Sequence, residues 1–212
     1  GTEPRRGASG PHRRRAIARP VSGVLEAVCV VFADLPQPRP VPFTAIDKRP
    51  VPGSVHVATL GLVGDHVCDT AKHGGVDKAV YAYARADAAR WADELGRDLP
   101  PGWFGENLRV DGVSASDAVL GQRWRVGGAL LEVSQPRTPC VSFAIWAQEP
   151  QWIKRFSERG DNGTYLRVLE EGPVQAGDVI DVEYTPSHGV TVRDVFDATD
   201  ADRLELLLAT EP

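Results

Sequence analysis

The chain has 212 residues, a formal net charge of −5 and 25% charged side chains. That is enough for one generous domain, and it argues against a broad nucleic-acid surface. No stretch is long and apolar enough to span a bilayer, and three widely spaced cysteines outside any C-x-x-C pair argue against a disulfide framework and for a reducing, cytoplasmic setting.

Residues 1–20, GTEPRRGASGPHRRRAIARP, are rich in Arg, Gly and Pro. They lack the continuous apolar core of a signal peptide and read as a flexible basic extension. The other reading is a basic arm for nucleic acid or an acidic partner. Gly23 to Phe32 reads as a buried, valine-dense strand with Cys29 as a core thiol. LPQPRPVPF follows as an extended connection, since proline removes ladder donors. Val55 and Val57 make a short strand, and Gly61 and Gly64 mark turns.

Lys78 to Tyr83 is strand-like. Ala84 to Gly96 is helix-like, with Ala88, Trp91 and Leu95 on one face, Asp87 in the first turn and Gly96 as the stop. Leu108 to Val110 is a short strand. AVLGQRWRV and ALLEVS flank Gly127-Gly128 as a hairpin. Val141 to Arg159 is helical with a break near Pro150, Thr164 to Glu170 is a strand, and Val179 to Tyr184 is another after a turn. The tail gives two short helical pieces, the second capped by Thr199 with Leu204, Leu207 and Leu208 on one face. Such pieces are too short to stand alone and must pack on something. Many short strands with few helices imply a mainly β fold, a closed or nearly closed barrel with inserted helices, over residues 21–186. A short helical appendage would occupy 187–212. Phosphate-loop and dinucleotide fingerprints are absent.

Four polar clusters could carry chemistry. In Asp47-Lys48-Arg49, two adjacent cations held extended before Pro50 suit a phosphate, or they form a solvated charge run. In Lys72-His73-Gly74-Gly75, with Asp77 and Lys78, paired glycines let backbone amides approach an anion, or they only make a turn. In Trp103-Phe104-Gly105-Glu106-Asn107-Leu108, an acid and an amide between apolar residues form a satisfied turn or a ligand-reading pair. Arg137 stands between two prolines, three residues before Cys140, where a cation lowers a thiol pKa and raises its nucleophilicity or metal affinity. The plain alternative is a buried inert cysteine with a surface arginine. His66, Cys68 and His73, with Asp65 and Asp69 among them, are zinc-ligand types. No second pair at structural-zinc spacing follows, so they read as ordinary loop residues.

Taken in order, KRPVPGSV, GLVGDHVCDTAKHGGVDKAVYAY, WFGENLRVDG, VSQPRTPC and GTYLRVLEEGPVQAGDVI resemble the MOSC domain family, named for the C-terminal domain of molybdenum cofactor sulfurases, in its YiiM-like branch. The resemblance runs from about Gly23 to Tyr184, and the tail is similar to the start of a three-helix domain, shortened here. It implies a MOSC-type β-barrel that binds the molybdenum cofactor, molybdopterin, with Cys140 as a thiolate ligand to molybdenum. A soft thiolate suits such a metal and is deprotonated by it. Arg137, His73, Lys78 and Lys48 or Arg49 would meet the cofactor phosphate, Gly74 and Gly75 would allow backbone approach, and Asn107 would read the pterin or orient an oxo group.

The resemblance further implies reduction of small N-hydroxylated substrates, hydroxylaminopurines or amidoximes. No flavin or iron–sulfur motif is visible, so electrons would come from a separate donor protein. Pyridoxal phosphate binding attaches to the family as a whole; no domain for it accompanies this barrel. The alternative is a cofactor or sulfur carrier with a persulfide on Cys140 and no turnover of its own. A third reading is a non-enzymatic barrel that binds small anions. Neither nucleic acid nor membrane is an expected partner, and a homodimer is compatible with the sequence.

Overall fold

The computed structural model describes residues 22–38, 41–198 and 201–209; the basic extension and Thr199 lie outside them. The strands are β1 (Ser22–Pro36), β2 (Phe43–Pro50), β3 (Val55–Ala58), β4 (Gly61–Leu62), β5 (Val80–Ala84), β6 (Leu108–Asp111), β7 (Arg123–Val126), β8 (Ala129–Pro136), β9 (Thr164–Glu170), β10 (Gly172–Val174) and β11 (Val179–Tyr184). The helices are α1 (Arg85–Leu95), α2 (Val141–Ala147), α3 (Trp152–Arg159), α4 (Val192–Asp197) and α5 (Ala201–Ala209). A single 3-10 turn, Val76–Lys78, precedes β5.

Seven strands close into a barrel in the order β1-β11-β7-β8-β9-β5-β6, because β1 pairs with both β11 and β6. Closure leaves no free edge on that ring. Every ladder in it is antiparallel except β5–β6. A parallel neighbour requires a crossover, and α1 with residues 96–107 supplies it. The far half of β1 runs past the ring to pair with β2, and β10, β3 and β4 form a separate small sheet.

Period-2 alternation explains why β5, VYAYA, is buried at every position. Val80, Ala82 and Ala84 fill the barrel interior with Leu25, Val28, Leu108, Val110, Trp124 and Ile180. Tyr81 and Tyr83 point the other way, into a second core with Trp91, Phe104, Phe143, Trp152 and Phe156. Both faces of a strand are buried when layers cover both. Here α1, α2 and α3 supply the outer layer. The Tyr83 and Phe104 rings stack at 4.0 Å.

Two local expectations change, and the tail packs on the barrel. LPQPRPVPF is not a plain extended connection: β1 continues through Pro36, which pairs with Phe43, so Pro36 and Pro42 sit at the end of a hairpin where few ladder donors are lost. Gly172–Val174, expected as a turn, is β10 and pairs with β3, a long-range partner that local pattern does not reveal. In the tail, Val192 joins the barrel core, and α4 is capped by Thr191 and Asp194 in a reciprocal capping box. Arg193 ties that helix to the body through Asp117 (2.7 Å), Asp161 (3.1 Å) and the Arg159 carbonyl (3.1 Å). The break near Pro150 is as expected; Gln148 and Gln151 turn the chain in left-handed conformations.

Candidate functional site

Cys140 sits where β8 gives way to α2. Pro136 is the last residue of β8 and Pro139 precedes the thiol, so residues 137–139 leave the ladder. The excursion turns Arg137 inward, where it is only 6% exposed. Its guanidinium lies 3.9 Å from the centre of the Phe143 ring and 5.5 and 5.6 Å from those of Tyr81 and Phe156. A guanidinium is weakly hydrated and stacks well on aromatic faces, which makes this burial tolerable. One of its nitrogens, Nη1, is buried with no hydrogen-bond partner among the described residues. A buried unsatisfied donor on a cation is costly and calls for an acceptor.

The thiol responds to these neighbours. Burial works to raise its pKa, but a hydrogen bond with His73, the positive charge of Arg137 and the Phe143 N–H outweigh it and bring the group down to about 7. The other two thiols behave oppositely. Burial pushes Cys29 far up. Burial, then the Asp34 carboxylate, raises Cys68. Cys140 is therefore the thiolate-rich cysteine near neutral pH.

His73 arrives from the loop after β4 and is followed by Gly74 and Gly75, at φ 80° and 86°. A Cβ at Gly75 would meet nothing within 4 Å, so its surroundings are open to an incoming group. Lys78, at the end of the 3-10 turn, donates to the Lys72 carbonyl at 2.9 Å and lies 6.0 Å from the Tyr165 ring. Tyr165 is partly buried, and burial of its ring end raises its pKa while Arg137 opposes that shift.

These groups share one cavity of about 420 Å³. Lys48, His73, Gly74, Gly75, Lys78, Asn107, Arg137 and Cys140 all line it. Arg49 does not. Adjacent strand residues point to opposite faces, so Lys48 turns in while Arg49 turns out to Asp47 (2.9 Å) and the Phe32 ring (3.5 Å). Asn107 lines the wall with its amide already engaged. Its Nδ2 donates to Asp65 (2.7 Å) and to the Cys29 carbonyl (3.3 Å), and its Oδ1 accepts from the Tyr81 N–H (3.1 Å). Both donors are spent, so the side chain positions β5 and Asp65 rather than reading a ligand through its amide hydrogens.

Asp65, named in the sequence only among the zinc-ligand types, has a role that sequence reasoning missed. It accepts from the Val31 N–H at 2.9 Å, from Asn107, and from the buried Lys48 ammonium. Its only local signal is a carboxylate beside a glycine, which loops show everywhere. Glu106 resolves the other open question. It is fully buried, accepts from the Gly102 and Phe104 N–H groups at 2.8 and 3.0 Å, and pairs with buried Arg109. The acid of the FGENL stretch is thus a satisfied turn. His66 and Cys68, read from the sequence as ordinary loop residues, line the cavity and meet Asp34, while Asp65 is turned away to Lys48.

The donor set fits an anionic, metal-bearing cofactor: a low-pKa thiol, a buried guanidinium with one unpartnered nitrogen, a histidine, a lysine and an open position at Gly75. No helix among the described residues is long and apolar enough to cross a membrane.

Comparison with known proteins agrees with this arrangement. Residues 69–181 match the MOSC domain family. The chain is 35% identical over 150 residues to the uncharacterized protein YflK of Bacillus subtilis (strain 168), a match covering 71% of this chain and 68% of that protein. It is 31% identical over 176 residues to a protein named Reductase from Gibberella moniliformis, covering 79% of this chain but only 30% of that longer protein. Among solved structures, YiiM from Geobacillus stearothermophilus aligns with a TM-score of 0.72 at 27% identity, covering 90% of this chain and 92% of that one.

Proposed function

Because the chain belongs to the MOSC domain family, with YiiM proteins among its relatives, we propose that it binds the molybdenum cofactor through Cys140 and reduces N-hydroxylated compounds. The observation that carries this reading is the pairing, in one cavity, of a thiol brought down to about 7 with a buried guanidinium nitrogen that has no partner. A soft thiolate is a protein ligand such a metal takes, and Arg137 and Lys78 are the cations for its phosphate, with His73 as a further hydrogen-bond partner. When bound, the group supplies the two-electron chemistry of N–O cleavage. The balance is R–NHOH plus two electrons and two protons giving R–NH₂ and water. In this reading His73, hydrogen-bonded to the Cys140 sulfur, hands over a proton at that end of the cavity. Electrons come from a separate donor protein. The longer Gibberella relative is named Reductase, which supports reductive chemistry in a protein that shares this domain.

The experiment is expression with ample molybdate followed by metal analysis and an amidoxime reduction assay with an artificial electron donor. The intact protein carries molybdenum and turns over; Cys140→Ala loses both while its circular dichroism is unchanged. Full activity in Cys140→Ala removes the ligand role. A persulfide mass on Cys140 without reduction after cofactor loading moves the chain to the carrier reading.

A further inference from the structure

The rim of the cavity holds a second constellation of ligand-type side chains. Asp34 lies near the end of β1, beyond a register shift in the β1–β2 ladder. His66 and Cys68 belong to the loop after β4 and also line the cavity. His66 Nε2 is 2.7 Å from Asp34 Oδ1, Cys68 Sγ is 3.6 Å from the same oxygen, and the three ligand atoms lie within 4.8 Å of one another. We propose that Asp34, His66 and Cys68 form a binding site for a divalent zinc ion at the mouth of the cavity, independent of any cofactor bound deeper inside.

Geometry and ligand chemistry agree on this. Zinc–ligand distances of about 2.0–2.3 Å in a tetrahedron put neighbouring ligand atoms about 3.3–3.6 Å apart. The sulfur–oxygen separation already has that value, and the nitrogen–oxygen pair has to open by roughly half an ångström, which two half-exposed side chains on a loop and a strand end can do. One carboxylate, one imidazole and one thiolate select zinc over calcium or magnesium, which prefer oxygen ligands alone. Three protein ligands leave a fourth position for water or a small ligand. Asp65 and Lys48 do not compete, because they are committed to each other in the wall. Without metal, the Cys68 thiol donates to Asp34, and both burial and that carboxylate raise its pKa. Zinc takes the place of that proton, so binding releases it and strengthens as pH rises.

The ion would join β1 to the loop that continues into His73, Gly74 and Gly75. It would thus fasten the flank of the cavity that carries the Cys140 partner.

The test uses the full chain carrying Cys140→Ser, so that the His73–Cys140 pair cannot take the metal. Zinc is titrated against a chromophoric chelator near neutral pH, and cobalt(II) is added separately to read thiolate ligation by its charge-transfer absorption. One equivalent of zinc binds and the cobalt–thiolate band appears. Cys68→Ser abolishes the band. His66→Ala and Asp34→Ala weaken zinc binding by at least the roughly tenfold that loss of even an outer-shell partner costs, with circular dichroism unchanged. Failure of Cys140→Ser to compete with the chelator, or equal zinc binding after Cys68→Ser or His66→Ala, overturns the proposal.

Discussion

The His73→Ala substitution tests the electrostatics of the site most directly. In the folded protein the Cys140 thiol is brought down to about 7 although burial works to raise it, the His73 hydrogen bond being the largest of the lowering causes. A hydrogen bond to a charged group is worth about 1.5–3 kcal/mol, and about 1.4 kcal/mol corresponds to one pH unit. Losing His73 while Arg137 stays therefore raises the midpoint by roughly one to two pH units. At neutral pH the sulfur of the unmodified protein is about half thiolate; at a midpoint one unit higher, that falls to roughly a tenth. The assay is iodoacetamide alkylation as a function of pH, read at Cys140 by peptide mass spectrometry. Cys29 and Cys68, both raised, serve as internal controls that react only at higher pH. The midpoint is the quantity to compare, because intrinsic nucleophilicity itself falls with pKa. A Cys140 midpoint at the ordinary thiol value of about 8.5, or one that His73→Ala leaves in place, refutes the account. The sign for stability follows: an acidic group depressed in the folded state stabilises it above its unfolded pKa, and that contribution is lost as pH falls through about 7.

Three further outcomes are expected. Asp65→Ala leaves the buried Lys48 ammonium and the Asn107 amide without their shared acceptor and costs about 3–5 kcal/mol in urea denaturation, the range for breaking a buried ion pair from one side. Gly102→Ala places a Cβ 2.1 Å from the Lys48 carbonyl oxygen at a φ of +91°. It therefore lowers stability by about 1–3 kcal/mol, visible as a reduced thermal midpoint. Arg137→Gln reduces molybdenum retention after expression with molybdate, whereas Arg49→Ala, outside the cavity, leaves it unchanged.

The sequence carried the elements well, because each rests on a local rule. The glycine pair at 127–128 made the β7–β8 hairpin, Gly96 stopped α1, and the break near Pro150 separated α2 from α3. The strand-rich order with few helices was enough for a barrel. The stretches around His73, Arg137 and Cys140 stood out as chemistry because their residue types are costly to bury without a purpose, and the fold brings them to one cavity.

Direction and partnership were decided only in three dimensions. Lys48 and Arg49 are equivalent as letters, but alternation along β2 turns one in and the other out. As letters, Glu106 and Asn107 allow a satisfied turn or a ligand-reading pair; in the fold their hydrogen bonds lie within the protein. Asp65, the acceptor for three buried or half-buried donors, and Asp34, which meets His66 and Cys68 across more than thirty residues of chain, have no local signature that sets them apart from ordinary loop carboxylates. Local pattern fixes which residues enter a strand or turn, since backbone preference and alternation are properties of neighbours. Which charges are satisfied and which remain open to a ligand depends on atoms brought together by barrel closure, and that requires every strand at once.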